Sequence, residues 1–250
     1  MTDAVELLPV RGMPDIEPGE DLAGAILSAL AAQGLELRDG DIVVVTQKIV
    51  SKAEACIVDL AEVRPSVLAR TWATRWDKDA RVVEVVLRES RRIVRMEHGV
   101  IISETHHGLV CANAGVDSSN VGAGRVTLLP PDPDASAERL RIALEGASGA
   151  RLGVVISDTF GRAWREGQTN VAVGSSGVEV LRPFQGVRDS TGYELRVTML
   201  ATADELAGAA ELVMGKLDRV PVAVVRGLSR ALGEGAARDL VRPAATDLFR

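Results

Sequence analysis

Aromatic side chains are scarce in this sequence of 250 residues: they fill 3% of positions, while hydrophobic residues of all kinds fill 46%. A basic excess is also missing, since 29 Lys and Arg stand against 35 Asp and Glu, a formal net charge of −6. With neither a positive field nor stacking platforms, nucleic acid is not expected as a partner. Cysteine is rare too. Cys56 and Cys111 are too few for a disulfide framework and form no CxxC pair for zinc or thiol exchange. Both lie near apolar stretches without an adjacent histidine, so buried, inert thiols are expected. No segment approaches the roughly 20 apolar residues of a membrane span, and no membrane partner is expected. Pro9 and Gly12 break the first stretch before it reaches signal-peptide length. These absences together lead to the expectation of a cytoplasmic location with reduced thiols.

What is present suits an ordinary globular chain, expected as one unit over residues 1–250 with two lobes as an option. Leu22, Ile26 and Leu30 recur at one-turn spacing and predict a helix from Asp21 to Gln33, stopped by Gly34. The β-branched run Ile42 to Val45 predicts a buried strand that ends in Thr46-Gln47-Lys48. Helices are expected over Pro65–Arg75 and Ala80–Ser90, then strands at Arg92–Met96, Val100–Ser103 and Leu109–Ala112. Asp132 before Pro133 predicts an N-cap and first helical turn, with the helix reaching about Gly146. Leu152 to Ile156 predicts a second buried strand, terminated by Ser157-Asp158-Thr159. Leu195–Leu200 and Val220–Val225 are read as strands and Ala203–Met214 as a helix. Elements alternate without a strict βαβ rhythm, which predicts an α/β (α+β) fold of mixed sheets with flanking helices.

Several chemistries lack their motif. The sequence has no GxxxxGK[ST] loop, no GxGxxG after a strand, no GxSxG elbow and no HExxH helix, so P-loop and Rossmann folds are not expected. His106 and His107 are neighbours on an expected strand and would point to opposite faces, which makes a shared metal ion difficult. The candidates are oxygen ligands and cations. The stretch Asn113 to Gly122 carries Asp117 among small hydroxyls and glycines, suited to a hard cation or a phosphate but equally to a plain Asx turn. Asp158 and Thr159 fall at the carboxyl end of a buried strand, where ligands gather in open α/β sheets. Arg162 and Arg165 follow closely, with guanidinium groups that suit phosphate or carboxylate; a helix cap with solvated arginines is the alternative. Lys52 is a point charge within reach of a polyphosphate, or an ordinary surface lysine. Such a set suits phosphoryl transfer by positioning and charge stabilisation rather than attack by a side-chain nucleophile.

The ordered motifs Leu8-Pro9-Val10-Arg11-Gly12-Met13-Pro14, Val50-Ser51-Lys52-Ala53-Glu54, Ala114-Gly115-Val116-Asp117-Ser118-Ser119-Asn120, Leu129-Pro130-Pro131-Asp132-Pro133-Asp134, Ser157-Asp158-Thr159-Phe160-Gly161-Arg162 and Val224-Val225-Arg226-Gly227 span nearly the whole chain. In this series the sequence resembles the coenzyme F420-0:L-glutamate ligase family. It is also similar to the N-terminal half of the two-domain actinobacterial form, without that form's C-terminal nitroreductase-like domain. The resemblance implies a gamma-glutamyl ligase-like fold and a homodimer. It further implies a reaction that uses GTP and Mg²⁺ or Mn²⁺ to join L-glutamate to a deazaflavin precursor through an acyl phosphate, with GDP and phosphate released. By position, Asp117 and Asp158 resemble ligands of a first metal, and Thr159 of a second. Asp117, Asp158 and Arg162 become the catalytic candidates. Met13, Pro14, Asp15, Ile16, Gln47, Lys48, Lys52, Asn120, Gly215 and Lys216 fall where the family contacts GTP. Lys216 replaces an expected acidic metal ligand, and Gln47 a small hydroxyl residue. A non-catalytic nucleotide- or deazaflavin-binding module, or a ligase for another acceptor, would share many of these residues.

Overall fold

In the computed structural model, which describes residues 4–247, the chain opens with β1 (Glu6–Pro9), α1 (Leu22–Ala32), β2 (Ile42–Thr46), α2 (Gln47–Ala53) and β3 (Ile57–Asp59). It continues through α3 (Val67–Trp76), α4 (Ala80–Glu89), β4 (Ser90–Glu97), β5 (Val100–Thr105), β6 (Val110–Ala112) and β7 (Arg125–Thr127). The last part holds α5 (Pro133–Ser148), β8 (Gly153–Arg162), β9 (Arg165–Ser176), β10 (Arg182–Pro183), β11 (Met199–Leu200), α6 (Thr202–Met214) and β12 (Val222–Arg226).

A five-stranded mixed sheet in the order β1-β12-β2-β8-β9 forms the centre. β2 and β8 run parallel, with Ile42 opposite Gly153 and Thr46 opposite Ser157; the other pairs in the sheet are antiparallel. Their unbroken apolar sequences follow from cover on both faces. Val43, Val45, Val154 and Ile156 share one core cluster with Ile26, Leu30, Leu140 and Leu144 of α1 and α5. Ile42, Val44 and Val155 share the other with Ala203, Leu206, Ala207, Ala210 and Met214, the small-residue face of α6. Gly174 of β9 lies beneath the first turn of α5, where a Cβ would stand 2.3 Å from the Pro133 carbonyl oxygen. Only glycine permits that approach without moving the helix.

Residues 57–127 add a second set of small sheets, β3-β7 and β4-β5-β6, with α3 and α4 against them. Their own core contains Ala69, Ala73, Val83, Val86, Ile101 and Ala114. The helix starts follow capping chemistry: Asp21, Ser66, Asp79 and Asp132 each accept a backbone N–H of the first turn. Mixed sheets flanked by helices agree with the expected fold class. Among the described residues no helix is long and apolar enough to cross a membrane.

Four local expectations need correction. β8 does not end at Ser157; it runs to Arg162, because its polar second half is paired with β9 in a long hairpin. Of Leu195–Leu200 only Met199 and Leu200 are strand, paired with β10. The helix after Pro133 passes Gly146 and stops at Ser148, where Gly149 adopts φ 73°. Gln47 and Lys48 are not a polar strand end but the first turn of α2.

Candidate active site

The carboxyl ends of parallel β2 and β8 open into a cleft of about 980 Å³, the position where open sheets bind ligands. The segment after β1, the start of α2, the loop after β6 and the loop after α6 complete its walls. Of the residues singled out in the sequence, Met13, Pro14, Asp15, Ile16, Gln47, Lys48, Lys52, Asp117, Asn120, Asp158, Thr159, Gly215 and Lys216 all line it. Arg162 does not. It lies on the exposed part of the β8–β9 hairpin, where its Nη2 donates to the Glu166 carbonyl oxygen at 2.5 Å and its Nε to that of Gly167 at 3.4 Å.

The two cleft aspartates are held differently. Asp117 sits in a turn whose Ser119 N–H donates to Oδ1 at 2.7 Å, and Lys48 Nζ stands 2.8 Å from Oδ2. Lys48 also donates to Ser119 Oγ, so one lysine from α2 links the central sheet to the loop after β6. Burial alone would raise the Asp117 carboxyl, but the Lys48 and Ser119 hydrogen bonds hold it below the usual carboxylate value. Asp158 Oδ1 accepts only the backbone N–H of Thr159, at 2.9 Å. Burial pushes the Asp158 carboxyl up to about 6, and repulsion from Asp117 adds to it against the pull of Thr159 N–H, Lys48 and Lys216. Lys216 thus acts electrostatically on the carboxylate. Cys111, also on the cleft wall, is pushed up to about 12 by burial and by the Asp158 charge, which leaves it an inert thiol. Cys56 is only half-buried, but burial and the charges of Glu54 and Glu89 raise it as well.

Gln47 is 2% exposed, and its Oε1 accepts Ser51 Oγ at 2.7 Å. Ser157 is fully buried and its Oγ has no partner among the described residues. Two cleft residues, Asn170 and Glu211, belong to no motif of the sequence. Asn170 of β9 accepts Thr159 Oγ1 at 2.8 Å, and its backbone N–H donates to Glu211 of α6 at 3.1 Å. Asn170 lies within β9 and Glu211 in the last turn of α6, and no local sequence pattern marks either. The two histidines bond backbone carbonyls outside this cleft, His106 that of Arg88 and His107 that of Pro130.

Asp117 and Asp158, with Lys48, Lys52, Lys216 and several hydroxyl and amide groups around one cleft, suit a polyanionic ligand bound with a hard cation. Residues 12–227 match the F420-0:Gamma-glutamyl ligase family, and the chain belongs to that family. It is 47% identical over 249 residues to the coenzyme F420:L-glutamate ligase of Methanothermobacter thermautotrophicus, covering 98% of this chain and 99% of the relative. The ligase of the same description from Methanopyrus kandleri is 47% identical over 247 residues, 97% of this chain and 96% of the relative. That from Methanocaldococcus jannaschii is 43% identical over 239 residues, 95% of this chain and 94% of the relative.

Proposed function

We propose that this chain is a GTP- and divalent-metal-dependent ligase that joins L-glutamate to coenzyme F420-0, the deazaflavin precursor, and extends a γ-linked glutamate tail. The observation that carries this reading is Asp158: a carboxylate of β8 just beyond its parallel pairing with β2, raised to about 6, in a cleft it shares with Asp117, Lys48, Lys52 and Lys216. The relatives' descriptions supply the substrate class, and the family resemblance supplies GTP.

The donor set fits Mg²⁺ or Mn²⁺ bound together with phosphate. Among the described residues no three Asp, Glu, His or Cys groups converge, and magnesium commonly takes one or two carboxylates and completes its shell with phosphate oxygens and water. Asp117 and Asp158 would hold the ion, with Thr159 placed for a second. When bound, the metal neutralises phosphate charge and orients the γ-phosphoryl group for in-line transfer. Lys48, Lys52 and Lys216 add positive charge at the same cleft, which binds the polyphosphate and offsets the charge that shifts as the β–γ bond breaks. Ser51 fixes the acceptor end of the Gln47 amide, which leaves the amide nitrogen to contact the nucleotide.

A carboxylate oxygen of F420-0 attacks the γ-phosphorus, GDP leaves, and an acyl phosphate forms. The glutamate amine then attacks the acyl carbon, the C–O bond to phosphate breaks, and the amine proton is lost as the amide forms. Activation is needed because a free carboxylate has no leaving group. The test is mass spectrometry of F420-0 incubated with the chain, GTP, L-glutamate and Mg²⁺ or Mn²⁺. Mass gains in whole glutamyl residues, absent without GTP, are expected; an unchanged precursor would overturn the reading.

A further inference from the structure

A carboxylate that the phosphoryl chemistry leaves unused lies in the same cleft. Glu211, in the last turn of α6, spends Oε2 on the Asn170 backbone N–H at 3.1 Å. Among the described residues no Lys, Arg or His forms an ion pair with it. Asn170 is 6% exposed and its Oδ1 is occupied by Thr159 Oγ1 at 2.8 Å. That bond fixes which end of the amide is the acceptor, so Nδ2 presents its two N–H donors on the other side, and no acceptor among the described residues meets them. Both residues line the cleft, as does Lys216 just beyond the end of α6.

The set is mixed: one free carboxylate oxygen, two amide N–H donors and one ammonium. A metal ion alone would be poorly served, because an amide N–H and an ammonium repel it. Phosphate alone would be repelled by Glu211. A zwitterion meets all three, with its ammonium on Glu211 and its carboxylate on Asn170 Nδ2 and Lys216. We propose that Glu211 and Asn170 form the subsite for the α-amino and α-carboxylate groups of the incoming amino acid. This rests on the ligase reading above and assigns the second substrate to the α6 side of the cleft.

The test compares equilibrium binding of L-glutamate with that of glutarate, which lacks the amino group, in the wild-type chain and in Glu211→Gln. The glutamine keeps an oxygen for the Asn170 N–H, so the local fold is retained. Wild type should favour L-glutamate over glutarate, and Glu211→Gln should lose about ten- to hundredfold of L-glutamate affinity, as expected for one charge-assisted hydrogen bond, with little change toward glutarate. Mn²⁺ bound per chain, counted by electron paramagnetic resonance with a non-hydrolysable GTP analogue, should be unchanged. Asn170→Asp keeps the acceptor for Thr159 but replaces the donors, and should raise KM for L-glutamate more than it lowers kcat. An unchanged preference between the two ligands in Glu211→Gln, or a lost Mn²⁺ ion, would overturn the proposal. A wild-type chain that forms glutamylated product without any preference for the amino group would overturn the subsite alone, whereas one that forms no product would overturn the ligase reading and the subsite with it.

Discussion

The two ends of the central sheet treat their carboxylates in opposite ways. At the start of β2, Asp41 is 1% exposed and fully occupied: Arg226 donates through Nε at 2.9 Å and Nη2 at 2.7 Å, and the Arg38 N–H donates at 2.9 Å. Asp134 in α5 is likewise filled, by the N–H groups of Ser175 and Ala237 and by Arg238 Nε at 2.9 Å. Toward the far end of the sheet, Asp158 has one backbone N–H and a like charge, Asp117, close enough to repel it. The chain therefore has the means to compensate a buried carboxylate and does so where the role is structural. The deficit at the cleft is where the proposed nucleotide and cation would complete the charge balance.

This contrast can be broken from either end. Replacing Arg226 with Met strands the Asp41 charge and should cost about 3–5 kcal/mol of stability, read from urea unfolding. The Asp158→Asn variant should lower the rate of glutamate addition by about 10²–10³-fold, or about 2.7–4 kcal/mol of barrier, measured as GDP release. Lys48→Met removes the cation beside Asp117 and should weaken nucleotide binding by about tenfold in a calorimetric titration. Arg162→Ala should change kcat/KM by no more than about threefold, since substitutions away from buried networks fall within about 0.5 kcal/mol. A collapse of activity in Arg162→Ala would return this hairpin arginine to the catalytic set.

Legibility in the sequence tracked local physics. β2 and the first half of β8 were readable because burial on both faces demands a continuous apolar run, and α5 because Asp132-Pro133 can hardly serve another purpose. β9 was invisible. Its first four residues, Arg-Glu-Gly-Gln, are exposed and polar, and only hairpin pairing with β8 makes them strand. α2, with seven residues, and β3 and β7, with three each, are too short to show a period. The motif residues expected at one site line a single cleft because five separate segments of the chain meet beside β2 and β8. Arg162 lies outside the cleft because β8 continues into the β8–β9 hairpin and carries its last residue beyond the cleft wall. Asn170 and Glu211 were missed because their meaning depends on the contact between β9 and α6, which no local pattern encodes.

The most direct measurement is the thermal unfolding midpoint of the ligand-free wild type and Asp158→Asn across pH. In the folded chain the Asp158 carboxyl lies at about 6, above its ordinary 3.8, so the folded state holds this proton more tightly than the unfolded one. The ionised group therefore lowers stability progressively as pH rises from about 4 to about 6, and fully above that. The midpoint of Asp158→Asn should exceed that of wild type at pH 7.5 and converge with it below about pH 4, by the same linkage. A variant less stable than wild type at pH 7.5 would show that Asp158 is a compensated structural carboxylate, like Asp41, and would contradict the assignment of this cleft as the site of chemistry.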